Sequence, residues 1–129
     1  MIVDTSALIA IVRNEPERDE FIARLTESSA RISAANWFEA TMVADGSGGP
    51  NGGRNLDEIV ETARITIEPV TEAHARAARI AFRRYGRGSG SPARLNFADC
   101  VAYALSATSG EPLLFKGDDF VHTDVLRVR

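Results

Sequence analysis

Four short apolar stretches, at residues 2–3, 31–34, 65–68 and 113–115, are separated by long segments of helical pattern. This spacing is the strongest constraint on the fold. A tight hairpin joins antiparallel strands, whereas parallel neighbours need a crossover of a dozen or more residues. Short apolar strands alternating with helices therefore predict a parallel sheet covered on both faces. The predicted order is β-α-α-β-α-α-β-α-α-β, with a possible last strand at 125–128. That is an α/β/α sandwich around a mainly parallel sheet of four to five strands. The 129 residues are enough for one domain with a real core. No repeat or boundary divides them, so residues 1–129 read as a single domain.

Local signals place the helices. Thr5 and Ser6 are good caps for a helix over 7–13, and Pro16 favours the start of a second, with Phe21, Ile22 and Leu25 as its apolar stripe. Asn36 reads as the start of a third. Residues 46–53, Gly-Ser-Gly-Gly-Pro-Asn-Gly-Gly, read as a flexible linker and not a phosphate loop, because no strand leads in and no Gly-Lys-Ser/Thr closes it. Helices over 54–63, 72–85 and 96–109 follow, the second broken by Gly86, Gly88 and Gly90, the last ended by Gly110.

Composition narrows function. A net charge of −3 excludes a strongly basic nucleic-acid coat. One cysteine excludes a disulfide framework and most cysteine zinc sites. No apolar run approaches the roughly 20 residues that cross a bilayer. The expectation is a soluble cytoplasmic protein with no membrane partner. Charge is nonetheless uneven. Residues 73–98 carry six arginines and no acid. Arg76, Arg79 and Arg83 recur at helical spacing and form a candidate phosphate-contacting strip.

Four carboxylate positions fall where a strand or loop meets a helix: Asp4, Glu39, Asp99, and the pair Asp118 and Asp119. In an open parallel sheet such positions lie along one edge, where ligands bind. Each acid also has a local explanation. Asn36-x-x-Glu39 and Asn96-x-x-Asp99 fit capping boxes, and Asp4 suits a helix N-terminus. The surroundings of Glu39 and Asp99 are apolar, however, and several carboxylates buried together need a neutralising partner. With only His74 and His122 as imidazoles, an all-oxygen set suits Mg²⁺ or Mn²⁺ rather than zinc. Such ions take part in phosphoryl chemistry.

The motifs Ile-Val-Asp-Thr-Ser-Ala at the N-terminus, Ser-Ala-Ala-x-x-x-Glu at 33–39, Leu-Asn-Phe-Ala-Asp-Cys at 95–100 and Pro-Leu-Leu-Phe-Lys-Gly-Asp-Asp-Phe at 112–120 together resemble the PIN-domain ribonucleases. Within these they resemble most the VapC toxins of type II toxin–antitoxin systems. The resemblance implies a PIN-like α/β/α sandwich and Mg²⁺-dependent cleavage of structured RNA (Mn²⁺ substituting), with transfer or ribosomal RNA as targets. It implies Asp4, Glu39 and Asp99 as the first three family acids and Asp119 as the fourth, with Asp118 the alternative. Asp4 and Asp99 are then the metal ligands, and Glu39 and Asp119 complete the cluster. It also implies a homodimer and a VapB-type antitoxin, for which the apolar run 7–12 with Phe21, Ile22 and Leu25 offers a surface. The competing reading is an inactive PIN-like module that binds RNA or protein without cleaving it.

Overall fold

The computed structural model describes residues 1–129. β1 (Ile2–Val3) leads into α1 (Thr5–Val12) and α2 (Arg18–Glu27). β2 (Arg31–Ser33) leads into α3 (Ala34–Ser47) and α4 (Gly52–Thr62). β3 (Thr66–Glu68) is followed by α5 (Glu72–Tyr85) and α6 (Phe97–Ser109), and then by β4 (Leu113–Leu114). The four strands form one parallel sheet in the order β3-β2-β1-β4. The expected last strand at 125–128 is reduced to a single bridge between Leu113 and Arg127. No helix is long and apolar enough to cross a membrane.

The layering follows from strand alternation. Ile2 pairs with Leu113, and Val3 with Leu114. Successive side chains of a strand point to opposite faces. Ile2 and Leu113 accordingly pack with Ala81, Leu105 and Phe120 on the α5–α6 side. Val3 and Leu114 pack with Leu8, Phe21 and Leu56 on the α1–α4 side. One two-residue strand thus feeds both cores, which places β1 at the centre and Asp4, directly after it, in the middle of the sheet's C-terminal edge.

Two helix caps differ from the sequence expectation. Asp4, not Thr5 or Ser6, caps α1: its side chain accepts from the Ser6 N–H, and its extended backbone continues the strand. Ser33 caps α3, which therefore begins at Ala34, directly out of β2. Asn36 is inside that helix, and Glu39 lies in its second turn rather than its first.

Of residues 46–53, expected to form one loop, only 48–51 lie between helices. Gly46 and Ser47 finish α3, and Gly52 and Gly53 open α4. The glycines are there for close approach. A Cβ at Gly52 would lie 2.3 Å from the Ala44 carbonyl oxygen, and one at Gly48 would lie 2.6 Å from it. The Gly48 N–H donates to that same carbonyl. Glycine here lets two helix ends touch around Ala44, which is fully buried.

Candidate active site

Asp4 and Asp99 are both buried. Asp4 is held by Ser6, whose N–H and hydroxyl donate to Oδ2 at 3.0 and 2.6 Å. The Lys116 N–H, just after β4, donates to the same Ser6 hydroxyl oxygen at 2.9 Å. Ser6 thereby ties the end of β1 to the loop that carries Asp118 and Asp119. Beyond it, the Lys116 ammonium is clasped by Glu15 and, at 2.8 Å, Glu17.

Asp99 stands at the third position of α6 in the expected capping box. Its Oδ2 accepts the Asn96 N–H at 3.0 Å, and its own N–H donates to Asn96 Oδ1 at 2.9 Å. Capping uses part of this carboxylate and leaves it acceptor capacity. The analogous box at Asn36 and Glu39 does not form, because the cap of α3 is Ser33, three residues earlier.

Asn36 has a different task, which its sequence position disguised. It is fully buried. Its Nδ2 donates to the Ala98 carbonyl at 3.0 Å, and its own carbonyl accepts the Thr5 hydroxyl at 3.0 Å. One residue of α3 thus fastens the segments carrying Asp4 and Asp99. The available sequence signal was a strongly polar residue inside an apolar helix.

The acids share one electrostatic neighbourhood. Burial pushes the Asp4 carboxyl up to about 7, the Ser6 hydrogen bonds oppose this, and the charges of Asp99 and Glu39 raise it further. Burial likewise pushes Asp99 up to about 6; the Asn96 N–H and Arg87 lower it, and Asp119 and Glu39 raise it. Glu39 and Asp119 are thus brought to this edge from α3 and from the loop after β4. Glu39 is half-buried and Asp119 exposed.

No three His, Cys, Asp or Glu side chains converge to enclose a metal ion. The residues still fit a Mg²⁺-type ion, which is held by one or two carboxylates and keeps most of its waters. Two buried carboxylates with raised pKa values lack a cation in ion-pair contact, and Asn36 Oδ1 is a buried acceptor without a donor.

The three arginines of the candidate strip have different surroundings. Arg76 pairs with Glu72 at 2.8 Å. Arg79 lines an apolar hollow between α5 and α6 with Val70, Phe82 and Phe97. Arg83 lies in the last turn of α5. His74 completes a capping box with Thr71. On the opposite layer, α1, α2 and α4 enclose a hollow of about 520 Å³ lined by Ile11, Val12, Ile22, Leu25 and Ile59. Most of the apolar run 7–12, with Phe21, is instead core.

A parallel sheet with carboxylates gathered at the C-terminal edge of its central strand is the arrangement of the PIN class. The PIN domain family model matches residues 1–126. Ribonuclease VapC28 of Mycobacterium tuberculosis is 50% identical over 128 residues, covering 98% of this chain and 96% of its own. Ribonuclease VapC42 of the same species is 45% identical over 126 residues, covering 97% and 96%. The crystal structure of Mycobacterium tuberculosis VapC20, described as a sarcin-ricin loop cleaving toxin, superposes with a TM-score of 0.77 at 19% identity, covering 99% of this chain and 98% of that one. The chain belongs to the PIN domain family, among its VapC ribonucleases.

Proposed function

We propose that this protein is a metal-dependent endoribonuclease toxin that acts in the cytoplasm on structured RNA and is neutralised by a VapB-type antitoxin. The observation that carries the reading is the pairing of buried Asp4 and Asp99 at the sheet edge, each raised by burial and by neighbouring acids. Two such carboxylates are costly in the protein alone and become favourable around a cation. The relatives named as ribonucleases support the same reading.

Asp4 and Asp99 would hold Mg²⁺, or Mn²⁺ in its place, directly or through water. That ion, when bound, lowers the pKa of water and offsets charge building on the phosphate. Ser6 keeps one Asp4 oxygen fixed and leaves the other without a hydrogen bond within the protein. The Asn96 N–H does the same for Asp99. Glu39 and Asp119 orient water at the rim, and one of the carboxylates accepts the proton of the attacking water. Arg76, Arg79 and Arg83 on α5 offer positive charge to the RNA backbone further out. A homodimer and an antitoxin segment seated in the α1–α2–α4 hollow complete the assembly. An Ile22→Asp substitution is expected to abolish antitoxin protection while leaving cleavage intact.

The deciding experiment is cleavage of total cellular RNA by the purified protein with Mg²⁺, with Mn²⁺ and with EDTA, beside Asp99→Asn. Discrete fragments that need both metal and Asp99 support the nuclease. Folded, antitoxin-free protein that cuts nothing under any condition overturns it.

A further inference from the structure

Among the six arginines of residues 73–98, only Arg87 and Arg94 lie outside the helices. Arg76 is paired with Glu72, and Arg84 lies over the Tyr85 ring and 3.7 Å from Asp124. Arg87 belongs to no helix and no ion pair. It sits in the turn that carries the chain from α5 towards α6, and its backbone is fixed there. The Arg87 N–H donates to the Leu95 carbonyl at 3.1 Å, and the Leu95 N–H donates to the Tyr85 carbonyl at 2.9 Å. The Ser89 hydroxyl closes the turn onto the Gly86 carbonyl at 2.6 Å. Gly86 is obligatory at the exit of α5, since a Cβ there would lie 2.3 Å from the Phe82 ring.

This clamp ends one residue before Asn96, whose N–H holds the Asp99 carboxylate. The Arg87 charge slightly lowers the Asp99 carboxyl, and the two make no ion-pair contact. The Arg87 guanidinium is exposed, with its fork of donors unspent, on a turn whose backbone is clamped beside the cap that holds Asp99. A group of negative oxygens held at the acidic edge would meet carboxylate-bound cation on one side and a planar donor fork on the other. Phosphate is the anion that fits both.

We propose that Arg87 binds a backbone phosphate of the RNA at the Asp4–Asp99 edge, and so is a substrate-binding residue distinct from the α5 strip. The proposal rests on the nuclease reading for the identity of the ligand, and its test is one of binding, so the two fail separately.

The test uses labelled bulk transfer RNA and protein carrying Asp4→Asn, which removes turnover, across a series of salt concentrations. In that background Arg87→Ala is expected to weaken binding about 10- to 100-fold, the range for hydrogen bonds to a charged group. The slope of log affinity against log salt should also become shallower by roughly 0.7 to 0.9, the signature of one lost phosphate contact. Arg87→Lys should retain the slope, since it keeps the charge, but recover only part of the affinity. Arg24→Ala, which deletes an equal charge on α2, should change neither. Should Arg87→Ala fold poorly, Arg87→Gln replaces it. Unchanged affinity, weaker binding at an unchanged slope, or no RNA binding by the Asp4→Asn parent would each overturn the proposal. Failure of the wild-type protein to cleave RNA would overturn the nuclease reading and leave this comparison decisive for Arg87.

Discussion

Ser6 gives both its donors to one oxygen of Asp4, the N–H at 3.0 Å and the hydroxyl at 2.6 Å, while its hydroxyl oxygen accepts from Lys116. A single small side chain thus sets the orientation of the central acid and anchors the loop that bears Asp119. Removing the hydroxyl leaves the helix cap in place and frees the rest. Ser6→Ala is expected to lower cleavage about 10- to 100-fold, from the loss of a hydrogen bond to a charged group. The Mg²⁺ concentration for half-maximal rate should rise with it, and a metal titration of the rate checks both.

The raised carboxyls make stability depend on pH in a definite direction. Asp4 goes from an ordinary value of 3.8 when unfolded to about 7 when folded, and Asp99 from 3.8 to about 6. Between these values the folded state binds more protons than the unfolded state, so stability falls as pH rises. The contribution is fully present below the unfolded value and is lost as pH passes through 6 and 7. Glu111, lowered chiefly by the N-terminal ammonium, acts in the opposite sense, but only below its ordinary 4.5. In EDTA the melting temperature should therefore drop between pH 5 and pH 8. Mg²⁺ should recover most of the loss at pH 8, and Asp4→Asn should flatten the profile. Thermal melts across pH, with and without metal, decide it; a melting temperature that climbs over this interval in EDTA would contradict the argument.

The two adjacent acids after β4 differ in what they reach. Asp119 raises Asp99 through its charge, and it precedes Phe120, which is buried in the α5–α6 core. That buried ring fixes the backbone on which Asp119 is presented. Asp119→Asn is expected to cut the rate by at least tenfold, and Asp118→Asn to stay within about twofold of wild type, as surface substitutions usually do. Single-turnover rates of the two variants side by side give the answer.

Much of the fold was legible because it rests on local rules. Strand spacing gave the parallel sheet, and Asn96-x-x-Asp99 gave the start of α6. What misled was a pattern with two physical causes. Asn36-x-x-Glu39 looks like Asn96-x-x-Asp99, yet Ser33 wins the cap because β2 runs straight into α3, which frees Asn36 for long-range bonds to Ala98 and Thr5. The glycines of 46–53 likewise read as freedom. At Gly48 and Gly52 the Ala44 carbonyl makes them a packing requirement, and that contact is tertiary. Arg87 was hidden for a similar reason: helical periodicity drew attention to Arg76, Arg79 and Arg83, whereas approach to Asp99 depends on a turn closed by Leu95.

Asn36 offers the sharpest separation of scaffold from chemistry. Its side chain is fully buried, its Nδ2 is bonded to Ala98 and its Oδ1 has no donor. Asn36→Ala leaves the Ala98 carbonyl without this donor and opens a cavity between α3 and α6, a loss of about 2 to 4 kcal/mol. Asn36→Asp keeps the shape but turns the donor into a second acceptor facing Ala98, and adds a buried charge near Asp4 and Asp99. The aspartate variant should therefore be at least as destabilised as alanine in EDTA at pH 8 and should regain stability as the pH is lowered and its carboxyl takes up a proton. Urea unfolding of both variants at pH 5 and pH 8 measures this. An aspartate variant as stable as wild type at pH 8 would mean that the Asn36 side chain does not fasten α3 to the segment carrying Asp99.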